Sequence, residues 1–175
     1  MRVGVVSDTH RNKDLLETVA GWLTENQRIA SLYHLGDDYE DVVGLAGQGI
    51  EVVQVPGIYH AKYRDGTLKP TAWENVMGVR VLLAHSLEKD VTDEDRAVTD
   101  IILYGHTHKP ELRLEDGLLY MNPGHLKGTV DKTTPASFGL LDVGNREVTA
   151  TIFDLSFDEI QSIHMIRSET GLYRG

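Results

Sequence analysis

Four times between Val3 and His108 the chain runs through a short apolar stretch and stops on Asp, His or Gly. Val5-Val6-Ser7 leads into Asp8-Thr9-His10, and Tyr33-His34-Leu35 into Gly36-Asp37-Asp38. Val81-Leu82-Leu83-Ala84 leads into His85, and Leu103-Tyr104 into Gly105-His106-Thr107-His108. Short runs rich in Val, Leu and Ile read as buried strands. In open α/β sheets the loops at the carboxyl ends of strands are where ligands bind. The pattern therefore calls for a fold that brings four distant loops to one place.

The intervening sequence supplies such a fold. Arg2–Ser7 reads as a strand, and Leu15, Leu16, Val19, Ala20 and Leu23 recur at helical spacing behind Asn12, a good N-cap. Ser31–Leu35 is a second strand, Tyr39–Ala46 a short helix, and Ile50–Val55 a third strand stopped by Pro56-Gly57. Ile58 to Thr71 is loop-rich. Val79–Ala84 and Ile101–Tyr104 are strands on either side of Glu88–Asp100, a charged and partly helical segment. Two hairpins follow, one about Glu115-Asp116-Gly117 and one about Gly144-Asn145. Two packed sheets with helices outside, an α/β sandwich, satisfy this order.

Length and charge narrow the function. A chain of 175 residues fits one domain with one sizeable core. The segment after Phe153 reads as a C-terminal appendage, with 1–153 as the domain proper and 154–175 no separate domain. A net charge of −10 with no Lys/Arg run argues against a long nucleic-acid partner. Without cysteine, oxygen and imidazole are the metal donors left. Met1-Arg2 runs straight into a strand-like segment, and no stretch approaches a membrane span, so a cytoplasmic protein with no membrane partner is expected.

The residue types at the strand ends suit a dication. Asp8-x-His10 offers a carboxylate and an imidazole two residues apart, and His106 and His108 stand in the same relation. In extended backbone such residues point the same way. Gly36 and Gly105 let the backbone approach an ion or substrate closely. A carboxylate such as Asp37 can bridge two metals, and two metals about 3.5–4 Å apart can hold an attacking hydroxide and clamp a phosphoryl oxygen. A lone Asp-x-His or Gly-Asp-Asp is an ordinary turn, and a lone His85 an ordinary buried histidine. The four elements together, each behind an apolar strand, point to a metal site formed by Asp8, His10, Asp37, His85, His106 and His108.

These motifs resemble those of the calcineurin-like metallophosphoesterases. The chain length and Met121-Asn122-Pro123-Gly124 resemble the small bacterial and archaeal phosphodiesterase branch. The resemblance implies a four-layer αββα sandwich of two mixed sheets flanked by helices, with a dinuclear site at one end. It implies that Asp8, His10, Asp37 and His108 hold a first divalent metal, and that Asp37, His85 and His106 hold a second. Manganese, iron, nickel and zinc all fit such donors. The implied reaction is hydrolysis of a small phosphate ester, a diester rather than a monoester, by attack of a metal-bound hydroxide. A homo-oligomer is compatible with this.

Three positions depart from the family pattern. Where the family has an Asn that ligates the second metal, this chain has Ile58 within Pro56-Gly57-Ile58-Tyr59-His60. Either the second site is weaker, or a neighbour fills the position. His60 is the best local candidate, with Lys62 nearby. Alternatively His60 protonates the leaving group as the catalytic acid, or it is a loop histidine without a role. His125 follows Asn-Pro-Gly where Ser is usual, and Arg11 follows His10 where a small residue is common. His125 is a further substrate contact or only a loop residue, and Arg11 meets a phosphate bidentately or is a solvated residue at the helix start. His34 reads as structural. One eukaryotic relative of this branch, a retromer subunit, is a protein-binding scaffold, so Ile58 keeps open a metal-binding or metal-depleted interaction scaffold of the same fold.

Overall fold

The computed structural model describes Met1–Gly175 apart from the side chain of Ala46. The chain runs through β1 (Arg2–Val6), α1 (Lys13–Gln27), β2 (Ser31–His34), and a 3-10 turn (Tyr39–Val42) that leads into α2 (Val43–Ala46). It continues with β3 (Glu51–Gln54), α3 (Ala61–Arg64), β4 (Thr71–Val76), β5 (Val79–Ala84), α4 (Leu87–Asp90), α5 (Asp93–Ala97) and β6 (Ile101–Leu103). The remaining elements are strands: β7 (Glu111–Glu115), β8 (Leu118–Asn122), β9 (Val130–Asp131), β10 (Thr134–Pro135), β11 (Ser137–Val143), β12 (Glu147–Asp154), β13 (Glu159–Ser168) and β14 (Gly171–Arg174). No helix among the described residues is long and apolar enough to cross a membrane.

The strands form two large mixed sheets. One has seven strands in the order β14-β13-β12-β11-β1-β2-β3, the other five in the order β4-β5-β6-β8-β7. In the first, β1, β2 and β3 are parallel; in the second, β5, β6 and β8 are parallel. The other pairings of each sheet are antiparallel.

The alternation of side chains along these strands makes three cores and hence four layers. Val3 and Val5 of β1 face Val79, Val81 and Leu83 of β5 in the core between the sheets. Val6 points the other way and packs with Leu16, Val19, Ala20 and Leu23 of α1. Leu82 and Ala84 of β5 face outward to Val91 and Leu87 beside α4 and α5. Helix α1 starts where Asn12 accepts the Leu15 N–H at 3.3 Å, as its sequence predicts, and ends at Arg28 in the left-handed region. It crosses β1 at Gly4, where a Cβ would come within 2.8 Å of both Leu23 and Leu32.

Past Phe153 the chain adds β13 and β14 to the long sheet, an arrangement not visible in the sequence pattern. Met165 and Leu172 enter the core between the sheets. The Leu172 N–H donates to the Gly117 carbonyl at 2.8 Å, tying this segment to the turn before β8.

Candidate metal centre

All six parallel strands end on the same side of the sandwich. Their carboxyl ends release Asp8 (β1), Asp37 (β2), the Gly57–His60 loop (β3), His85 (β5), His106 and His108 (β6), and the Asn122–His125 turn (β8). One ligand atom from each of Asp8, His10, Asp37 and His108 lies within 4.8 Å of the others. His85 joins through Nε2, 3.2 Å from Asp37 Oδ1. The exposed His106 sits edge-on to the His85 ring, with centroids 5.1 Å apart.

The backbone that delivers these groups is not extended. Asp8, His10, His106 and His108 have φ of 53°, 46°, 67° and 60°. The i, i+2 relation expected for a continuing strand is thus replaced by left-handed turns, a conformation that costs non-glycine residues energy and concentrates at functional sites. Glycines make the crowding possible. A Cβ on Gly57 would lie 2.7 Å from Asp37 Cα, and one on Gly105 would lie 2.7 Å from Asp8 Oδ2.

The polar contacts sort each donor atom into one already satisfied or one left over. Asp8 is fully buried. Its Oδ2 accepts from Ser7 Oγ at 2.6 Å and from the His106 N–H at 3.0 Å, while Oδ1 faces His108 Nε2 at 3.2 Å. His85, also fully buried, gives its Nδ1–H to the Leu35 carbonyl at 2.7 Å, which turns the Nε2 lone pair toward Asp37. Neither Asp8 Oδ1 nor His85 Nε2 makes a hydrogen bond. His10 Nε2 lies 3.2 Å from His108 Nε2 and 2.7 Å from Asp37 Oδ2.

Buried polar atoms without partners are costly, and clustered lone pairs repel. A cation shared by these atoms removes both costs, so the donor set fits a divalent metal. It consists of carboxylate and imidazole, as suits manganese, iron, nickel or zinc. Burial works against the charge on Asp37, but the His10 and His85 imidazoles beside it hold its carboxyl well below the usual carboxylate range.

Three supporting residues escaped the sequence reading. Asp131 Oδ2 lies 2.7 Å from His108 Nδ1, and Lys127 Nζ lies 3.0 Å from Asp131 Oδ1. Bonded first to Lys127 and then to His108, the Asp131 carboxyl is lowered to about 2. Asp41, buried, accepts from Thr9 Oγ1 at 2.6 Å and from the Arg11 N–H at 2.8 Å, locking the Asp8–Arg11 loop. Asn122 donates to the Gly105 carbonyl at 2.9 Å and accepts from the Gly124 N–H at 2.9 Å, holding the His106 loop to the next turn. Asn122 had a signal in Asn-Pro-Gly; Asp131 had none.

The other singled-out residues have definite places. His60 caps α3: its Nδ1 accepts the Lys62 N–H at 3.2 Å and its Nε2 meets Glu40 Oε1 at 3.1 Å. It lines a cleft of about 460 Å³ together with His10, Asp37 and Tyr59. Ile58 is buried, 5% exposed. Arg11 reaches out to Asp38 at 3.2 Å with its side chain 84% exposed. His125 is buried behind the His108 ring and bonds the Thr134 carbonyl through Nε2 at 3.0 Å. His34 is buried beneath the site, its Nε2 3.2 Å from Thr9 Oγ1. Because Thr9 gives its only proton to Asp41, the His34 Nε2 is the protonated nitrogen.

Known proteins share this architecture. YfcE, a phosphoesterase from E. coli, superposes with a TM-score of 0.71 at 20% identity, covering 93% of this chain and 98% of its own. An archaeal phosphodiesterase does so with a TM-score of 0.70 at 18% identity, covering 87% and 100%. Vps29 from Entamoeba histolytica, complexed with zinc, gives 0.67 at 23% identity, covering 95% and 99%. At these identities the likeness is one of fold. No curated protein matches the sequence significantly. The model of the calcineurin-like phosphoesterase superfamily domain matches residues 1–146, a span that contains every loop of the Asp/His cluster, and the chain belongs to that superfamily.

Proposed function

We propose that the chain is a metal-dependent phosphoesterase that hydrolyses small phosphate diesters. The observation that carries this reading is the pair of buried, unpartnered atoms, Asp8 Oδ1 and His85 Nε2, turned toward Asp37 and its neighbours. Asp8, His10, Asp37 and His108 would hold one divalent ion; Asp37, with His85 and His106, would hold a second. Bound there, the ions supply Lewis acidity toward a phosphoryl oxygen and toward water.

The chain's own groups do the rest. The Asp41 and Asn122 networks fix the two loops that carry most of the donors, so the donors need no rearrangement as charge develops on phosphorus. As the oxygen of water bonds to phosphorus and the ester P–O bond breaks, the leaving alkoxide needs a proton. His60, on the wall of the cleft that His10 and Asp37 share, holds one at Nε2 beside Glu40, and this reading assigns it that transfer. With Ile58 contributing no donor, the second ion is the weaker of the two.

The test is elemental analysis of the purified chain, followed by assays of a chromogenic phosphodiester and a phosphomonoester with manganese, iron, nickel and zinc. Metal-dependent turnover with the diester favoured is the expected result. Bound metal without hydrolysis of either ester would overturn the enzyme reading and leave the interaction scaffold in its place.

A further inference from the structure

Two clefts flank the Asp/His cluster, and their charges differ. The first is the cleft of His10, Asp37, Tyr59 and His60. Its one guanidinium, Arg11, is already matched by Asp38, and it also holds Glu40. The second, about 300 Å³, lies between the Gly105–Lys109 loop and the turn joining β9 to β10, and has His106 and His108 on its wall. The one carboxylate lining it, Asp131, is bonded to His108 and Lys127. Lys109 and Lys132 line the same cleft. Neither has an ion-pair partner among the described residues.

Three of the chain's seven lysines, Lys109, Lys127 and Lys132, thus stand around one side of the site in a chain of net charge −10. The arrangement is built into the backbone. Lys132 and Thr133, with φ of 46° and 80°, form the two-residue turn that carries Lys132. A hydroxyl donor is also free there. Thr107 Oγ1 accepts from Asn122 Nδ2 at 3.0 Å and from the Lys109 N–H at 3.4 Å, which leaves its own proton to give. Two ammonium groups and a hydroxyl, with the cleft's carboxylate already paired, make a receptor for a tetrahedral oxyanion.

We propose that this cleft binds a second phosphate of the substrate, so that the preferred diesters carry a further phosphate on one arm. The proposal rests on the phosphodiesterase reading above. The uncharged arm then lies on the other side, along the cleft with the exposed ring of Tyr59.

The test compares two chromogenic esters at fixed free metal: the p-nitrophenyl ester of thymidine 5′-phosphate, and the same ester bearing a 3′-phosphate. The bisphosphate is expected to have a kcat/KM about tenfold higher, mainly through KM and less so at high salt, as suits two solvent-exposed charge contacts. Lys109→Gln with Lys132→Gln should bring the ratio near one and leave the plain ester unchanged; both side chains are exposed, so folding is not at stake. Equal kcat/KM for the two esters in the wild type, or a preference that survives the double substitution, would overturn the second-phosphate site alone. Hydrolysis of neither ester by metal-loaded protein would overturn the phosphodiesterase reading, and this proposal with it.

Discussion

His108 is gripped from both sides of its ring: Nδ1 lies 2.7 Å from Asp131 Oδ2, and Nε2 lies 3.2 Å from Asp8 Oδ1. A carboxylate bonded to one nitrogen fixes the tautomer and raises the basicity of the other. Asp131→Ala should therefore weaken binding at the first metal site about tenfold to a hundredfold, with Asp131→Asn in between. Titration with metal checks this. Unchanged affinity in the alanine variant would remove Asp131 from the site.

Asp37 is the residue on which the proposed metals converge. Asp37→Ala should cut metal-dependent hydrolysis by roughly a hundredfold or more, beyond what loss of an outer partner costs. It should also flatten the rise in melting temperature on adding metal, since an ion stabilises only the state that binds it. Wild-type turnover at matched metal loading would show that the cluster is not the active site.

Ile58 is buried in the Gly57–His60 loop, whose Gly57 packs against Asp37. Ile58→Asn should destabilise the metal-free protein by about 2–4 kcal/mol, through lost apolar burial and a buried amide. It should at the same time tighten binding of a second metal. Chemical denaturation in chelator reads the first effect and metal stoichiometry the second. A destabilised variant with unchanged second-site affinity would mean that Ile58 only packs.

Burial lowers the pKa of His34 from 6.5 to about 4, against the pull of Asp41. Above pH 6.5 the imidazole is neutral in both the folded and the unfolded chain and contributes no pH dependence. Between 6.5 and about 4 the unfolded chain binds a proton that the folded chain refuses, so stability falls as pH falls. The full window is worth at most about 3 kcal/mol. His34→Gln should lose part of that slope, measured by denaturation in chelator at pH 7 and 4.5. Parallel pH profiles for the two proteins would contradict the assignment.

Apolar runs stopped by Asp, His and Gly were legible because buried parallel strands and polar strand ends leave the same mark in any sequence. Helix α1 was legible through Asn12 and the spacing of Leu16, Val19, Ala20 and Leu23. Strand β4 was not: Trp73 is 45% exposed and Val76 is the strand's one fully buried residue, so its apolar pattern is thin. In β13 only Ile163 and Met165 are buried among ten residues, and β14 is four residues long. The turns at Asp8 and His106 read as strand continuations because no glycine at those positions announced a positive φ. Asp131 was invisible for another reason. Its partner lies 23 residues away, and the contact exists only once the β9–β10 hairpin folds over the His108 loop.

The two sheets meet along a seam, and the donors come from both of its banks: Asp8 and Asp37 from the long sheet, His85, His106 and His108 from the short one. At the opposite end of the seam, the Leu172–Gly117 hydrogen bond stitches the last strand of the long sheet to the turn of the short one. An ion held among the donors would act as a rivet at the open end. Its removal should let the sandwich gape there first, with faster amide exchange at the carboxyl ends of β1 and β5 while β13 and β14 stay protected.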